Sequence, residues 1–184
     1  MKRGILGNIL ITAALVAGTA LAQGGSGGTG THGLTDRVRH EILMYSNYTL
    51  WDDINFRVDN GNVSLLGSVS QPYKKSDLQR IVQHIPGVAS VTNELKVLPL
   101  SPNDDRLRLQ VARAIYRDPV LSRYAMGAIP SIHIIVDNGT VTLTGLVNNS
   151  MEKQVAGIRA SSAGLSFGPV INNLTVENPP AKKG

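Results

Sequence analysis

Hydrophobic and polar positions along the chain run through one order of periods twice. A first helix opens near Asp36, an acid suited to a helix start, with Val38, Ile42 and Tyr45 at helical spacing. Ile54, Phe56 and Val58 then alternate as a strand. Asp59-Asn60-Gly61 forms a tight turn of residues that tolerate positive φ, and Val63 to Leu66 is the second strand of the hairpin, ending at Gly67. Leu78, Ile81, Val82 and Ile85 fall at i, i+3, i+4 and i+7 of a second helix, and Val91 to Val97 is a closing strand. From Asp105 the order returns. Leu107, Val111 and Ile115 share a helix face, and Ile132, Ile134 and Val136 alternate with His133 and Ile135 on the opposite side. Asp137-Asn138-Gly139 turns into Val141 to Thr144, which ends at Gly145. Met151, Val155 and Ile158 form the weaker stripe of a second helix, and Val170 to Val176 closes the set.

The halves also match block by block. Asp36-Arg-Val-Arg39 recurs as Asp105-Arg-Leu-Arg108, 69 residues on. Asp59 to Gly67 recurs as Asp137 to Gly145, 78 on, and Val91 to Val97 as Val170 to Val176, 79 on. Three blocks in one order make the chain two copies of one small domain. The growing offset predicts a longer loop in the second copy, around Tyr124 to Ser131. Pro99 to Asn103 joins the copies, and its prolines keep the joint short and stiff. The fold class expected is α+β: two tandem small α-β-β-α-β sandwiches, each a three-stranded sheet with two helices on one face and the other face wet.

The ends lie outside this pattern. Lys2 and Arg3 precede an apolar run from Ile5 to Leu21, and Ala20-Leu-Ala22 presents small residues where a signal peptidase cuts. A signal peptide over 1–22, cleaved after Ala22, is expected, and with it a periplasmic location. A Gly-rich tether over 23–33 follows. The first domain is expected over 34–98, a linker over 99–103, the second domain over 104–177 and a tail over 178–184. The formal charge of +5 includes Lys2 and Arg3, so the mature chain is less basic than it looks and does not call for nucleic acid. With no Cys, disulfides, thiol nucleophiles and thiolate metal sites are excluded.

These residues resemble a known family. A helix before a strand, the hairpin Asn60-Gly61-x-Val63-x-Leu65-x-Gly67, an amphipathic helix, and then Pro86-Gly-Val88, Val91, Asn93, Leu95 and Val97 are similar to the BON domain of bacterial osmotically inducible periplasmic proteins and nodulation proteins. The second copy keeps Asp118-Pro119, Leu121, Asn138-Gly139, Val141, Leu143 and Gly145, and departs at Gly164-Leu-Ser-Phe-Gly-Pro169, where the Gly-Val step belongs. The resemblance implies a non-enzymatic envelope protein with no catalytic residues to carry over. It also implies contact with anionic phospholipid in some members and a setting of osmotic or envelope stress.

Residue chemistry adds little to this. His32, His40, His84 and His133 lack the spacing of a metal set, so neither metal nor cofactor is expected. No Gly-x-Ser-x-Gly elbow occurs. The acid pairs Asp52-Asp53 and Asp104-Asp105 read as a loop and a helix start, and Asn60, Gly61, Asn138 and Gly139 as structural hairpin turns. One stripe stands out. Arg106, Arg113 and Arg117 lie at i, i+7 and i+11 of the second copy's first helix, within about 40° of one another, flanked by Leu109 and Tyr116. Arginine suits headgroup phosphate, and tyrosine suits a membrane interface. A solvated helix face is the alternative reading, and Leu109 and Tyr116 equally suit packing against the first copy. Lys74, Lys75 and Arg80 form a second, weaker basic patch. Two functions remain. One is a binding module for anionic phospholipid headgroups at the envelope. The other is a protein-interaction or stress-protective module that uses wet sheet faces and free edges to meet envelope proteins.

Overall fold

A computed structural model describes residues 29–127, 129–163 and 168–177. The expected signal peptide, residues 23–28 of the tether and the tail from 178 lie outside the described residues, as do Ala128 and the 164–167 part of the divergent corner. Domain 1 runs α1 (Thr29–Leu43), β1 (Asp53–Asp59), β2 (Asn62–Val69), α2 (Pro72–Gln83), β3 (Ser90–Asn93) and β4 (Lys96–Val97). Domain 2 runs α3 (Pro102–Tyr116), a single 3-10 turn (Ser122–Ala125), β5 (Ile132–Asp137), β6 (Thr140–Val147), α4 (Ser150–Ser162), β7 (Val170–Asn172) and β8 (Thr175–Val176). Helix α1 starts at Thr29 rather than near Asp36, so it takes in the last residues of the expected tether. Leu34, buried in the core, gives this extra turn something to hold.

The two sheets are mixed and alike. β1 pairs antiparallel with β2, and β3 and β4 run parallel to β2 as one strand interrupted at Glu94-Leu95. β5, β6, β7 and β8 repeat this arrangement. Motif residues explain the interruption. The Asn93 side chain accepts from Leu95 N–H at 3.2 Å and donates to the Lys75 carbonyl at 2.8 Å, which ties the strand break to α2. Asn172 does the same with Leu174 N–H (3.3 Å) and the Lys153 carbonyl (2.6 Å). Gly67 and Gly145 have φ of 106° and 111°. A Cβ there would lie 2.1 Å from the Asp53 carbonyl oxygen and 2.0 Å from that of Ser131, so the strand pair closes only on glycine. Asn60 and Asn138, at φ 48° and 50°, make the hairpin turns.

The cores separate by domain. Leu34, Val38 and Ile42 of α1 meet Leu78 and Val82 of α2 over Val63, Leu65 and Val69. Leu107, Val111 and Ile115 of α3 meet Ala156 and Ala160 of α4 over Ile132, Ile134, Val141, Leu143 and Val147. Here the apolar stripe expected for α4 is corrected. Its buried face is Glu152, Ala156 and Ala160, while Met151 and Ile158 stand 66% and 64% exposed. The small alanines occupy the positions of Leu78 and Val82, and the bulky residues turn outward.

A second correction concerns the outer sheet face of domain 2. His133 and Ile135 are buried, not wet. The loop between α1 and β1 covers His133: Tyr48 stacks on its ring, and Leu50 and Trp51 pack against the core of domain 2. A Lys96–Asp137 ion pair also joins the domains.

Candidate functional site

Helix α3 is positioned at its N-terminal end. Ser101 caps its start by accepting from Asp104 N–H at 3.2 Å, with Pro102 at the first helical position. Asp104 is buried, and its carboxylate accepts from Asn138 N–H at 3.0 Å and Gly139 N–H at 2.9 Å, which docks the helix on the β5–β6 turn. Leu107, Val111 and Ile115 are buried. The opposite face therefore turns to solvent, and it carries Arg106, Leu109, Arg113 and Arg117, all exposed. Among the described residues none of these three arginines has an ion-pair partner.

The acids of α3, α4 and the loop between α3 and β5 are all occupied or hidden. Asp104 binds the turn. Asp105 pairs with Arg108. Buried Asp118 accepts from Arg159 Nε at 2.6 Å and from Val120 N–H at 2.8 Å. The Arg159 guanidinium holds the Asp118 carboxyl below its usual range, with the Val120 N–H adding to it. Buried Glu152 takes the Tyr124 hydroxyl, the Asn148 N–H at 3.1 Å and Arg123. Unpaired positive charge thus faces out, while the acids are buried, as Asp104, Asp118 and Glu152 are, or paired, as exposed Asp105 is.

Arg113 and Arg117 line a cleft of about 410 Å³ together with Asp118, Pro119 and Arg159. Arg106 lies two helical turns away from it, roughly 10 Å along the axis. Arg159 joins the basic surface from α4, and the sequence reading missed it. The signal was present in the repeat, because the 78-residue offset sets Arg159 opposite Ile81, an apolar position in the first copy. Leu109 is 49% exposed and also lines a smaller hollow at the domain seam with Trp51, Ser70, Gln71, Asp105 and Arg108.

Tyr116 does not stand at the surface with the arginines. It packs against the core of domain 2 and its hydroxyl donates to the Ile132 carbonyl. Burial pushes that hydroxyl above the ordinary tyrosine range. The weaker basic patch is dispersed. Lys74 is buried: its Nζ donates to Asp52 Oδ2 at 2.6 Å and Ser70 Oγ at 2.9 Å. Asp52, fully buried, also accepts from Thr49 N–H and Oγ1 at 2.9 and 2.7 Å and from Ser70 N–H and Oγ at 2.7 and 2.8 Å. Burial pushes the Asp52 carboxyl up. Lys74, Ser70 and Thr49 outweigh that and hold it below its usual range. Lys75 is half-buried, and Arg80 is exposed but paired with Asp77. Asn60, Gly61, Asn138 and Gly139 sit in the hairpin turns and serve geometry.

Among the described residues no group of His, Asp and Glu is placed to hold a metal ion, and no helix is long and apolar enough to cross a membrane. The BON domain family model matches the chain twice, at residues 32–99 and 103–178. No curated protein matches it. Among solved structures, the chain is similar to the C-terminal domain of CdsD, described as the structural protein of the type III secretion system of Chlamydia trachomatis. That likeness has 15% identity and a TM-score of 0.28, and covers 79% of this chain and 98% of that one. A second CdsD structure from the same organism gives 14% identity and a TM-score of 0.29, over 80% of this chain and 94% of that one.

Proposed function

The chain belongs to the BON domain family, with two copies in tandem, and from that premise we propose that it is a non-enzymatic, exported module that lays the α3 face of its second domain on an anionic phospholipid surface. The observation that carries this reading is the separation of charge on domain 2. Arg106, Arg113 and Arg117 are exposed and unpaired among the described residues, while the acids around them are buried or engaged. Guanidinium forks meet phosphate oxygens in pairs, and exposed Leu109 supplies an apolar contact between them. Each basic residue near an anionic membrane contributes about 1 kcal/mol, less at high salt. Three arginines alone give weak, reversible attachment.

Co-sedimentation of the chain from Gln23 with phosphatidylglycerol or cardiolipin vesicles, against phosphatidylcholine and across a salt titration, tests this. Binding is expected on anionic vesicles only, falling with salt and lost in the Arg106→Ala, Arg113→Ala, Arg117→Ala triple variant. Equal binding to phosphatidylcholine, or an unaffected triple variant, overturns it.

A further inference from the structure

The seam between the domains holds an imidazole that is poorly placed to take a proton. His133 on β5 is 9% exposed. Its ring stacks on Tyr48, with centroids 5.4 Å apart and planes 15° apart. One residue on, Ile134 N–H donates to the Leu50 carbonyl at 2.8 Å. That N–H points away from β6, so the loop lies along the edge of β5 that its own sheet leaves free. Leu50 and Trp51 pack against the core of domain 2 beside it. The loop is held from behind by the five hydrogen bonds of Thr49 and Ser70 and of Lys74 to Asp52, so it arrives at β5 already shaped.

His133 Nδ1 has no hydrogen-bond partner. A proton placed there would be a buried donor without an acceptor, which is costly. The groups facing the ring are few. Tyr48, pushed up to about 12 chiefly by burial, stays uncharged. Asp52 and Asp53 face it from domain 1, with Asp52 already bound to Lys74. From its own sheet it faces Thr144, its partner on β6. Burial is the largest influence and pushes the imidazole down. Asp53, the Thr49 and Asp52 backbone and the Asp52 carboxylate push the other way without reversing it.

We propose that the Tyr48–Asp53 loop is an acid-releasable clasp, which closes on β5 while His133 is neutral and opens, baring the β5 edge and the imidazole, when His133 is protonated. The sign follows from proton linkage. With the clasp open, His133 is hydrated and has its ordinary value near 6.5; with it closed, the value is lower. The closed state therefore binds fewer protons. The closing equilibrium is independent of pH well above about 6.5 and weakens by up to about tenfold per pH unit below it, until the closed-state imidazole itself titrates.

Trp51 is the only tryptophan of the chain and sits on the clasp, so its fluorescence reports the seam. Emission of the whole chain is recorded from pH 7.5 to 5.0 beside far-UV circular dichroism. The wild type is expected to shift to the red with unchanged secondary structure. His133→Phe keeps a ring to stack on Tyr48 and cannot titrate, so its emission is expected to stay fixed. His133→Gln serves the same purpose should the phenylalanine disturb packing. His84→Gln, on the far side of domain 1, is expected to shift like the wild type. Tyr48→Ala is expected to be red-shifted already at pH 7.5. A wild type that does not shift, a His133→Phe or His133→Gln variant that shifts equally, or a shift accompanied by loss of secondary structure would each overturn the proposal.

Discussion

The two domains share their hairpin turns and their strand order, yet they spend their charges in opposite ways. At the corner between the hairpin and the following helix, domain 1 buries a base on the helix, Lys74, against an acid from the preceding loop, Asp52. In domain 2 the equivalent helix position, 78 residues on, is the acid Glu152, and the loop before β5 answers it with Tyr124 and Arg123. The polarity is reversed while the geometry is kept. The Asp-x-x-Arg pair that recurs in each first helix differs as well. Asp36–Arg39 is exposed, whereas Arg108 is buried at the seam and also donates to the Val136 carbonyl at 2.8 Å. On the outer sheet faces, domain 1 shows Asn55 and Arg57 to solvent where domain 2 covers His133 and Ile135. A shared backbone thus fixes where a corner must be stapled, but not the sign of the staple or which face is left for partners.

The sharpest break in this comparison is at the corner. Lys74→Ala leaves Asp52 fully buried and uncompensated and is expected to cost about 3–5 kcal/mol in urea or guanidinium unfolding. Glu152→Ala is expected to cost less, about 1–3 kcal/mol, because its partner Arg123 is half exposed and regains water. Equal losses would show that the reversed staples are not different in kind. Next comes the repeated Asp-x-x-Arg pair. Arg108→Ala is expected to cost about 2 kcal/mol by freeing the Val136 carbonyl and opening the seam, against less than about 0.5 for Arg39→Ala, whose pair is in water. Matching unfolding midpoints for the two variants would place Arg108 outside the seam's support. The smallest effect belongs to the outward stripe. Arg106→Ala, Arg113→Ala and Arg117→Ala together are expected to change stability by no more than about 0.5 kcal/mol each. A larger loss in thermal unfolding would mean that these arginines hold the domain rather than a ligand.

Much of the architecture was legible because it is local. The Asn-Gly turns declare their positive φ, the alternation at Ile54, Phe56 and Val58 declares a strand, and the repeat makes each copy a check on the other. The α3 stripe was legible for the same reason, since 100° per residue sets Arg106, Arg113 and Arg117 on one face without help from the rest of the fold. What was misread depended on distant neighbours. Lys74 reads as a solvated lysine until Asp52, 22 residues earlier, is brought beneath it. Met151 and Ile158 read as core until Ala156 and Ala160 prove small enough for α4 to sit close. Tyr116 reads as an interfacial ring until the Ile132 carbonyl claims its hydroxyl.

By itself, then, the amino-acid order determined the doubled α-β-β-α-β plan, the hairpins and the basic helix face. Each of these follows from periods and backbone preferences that act over a few residues. Only the tertiary structure decided which charges are buried, which sheet face is covered and which side chains remain for a partner. Burial is a property of what another segment brings to the spot, and no local pattern specifies that.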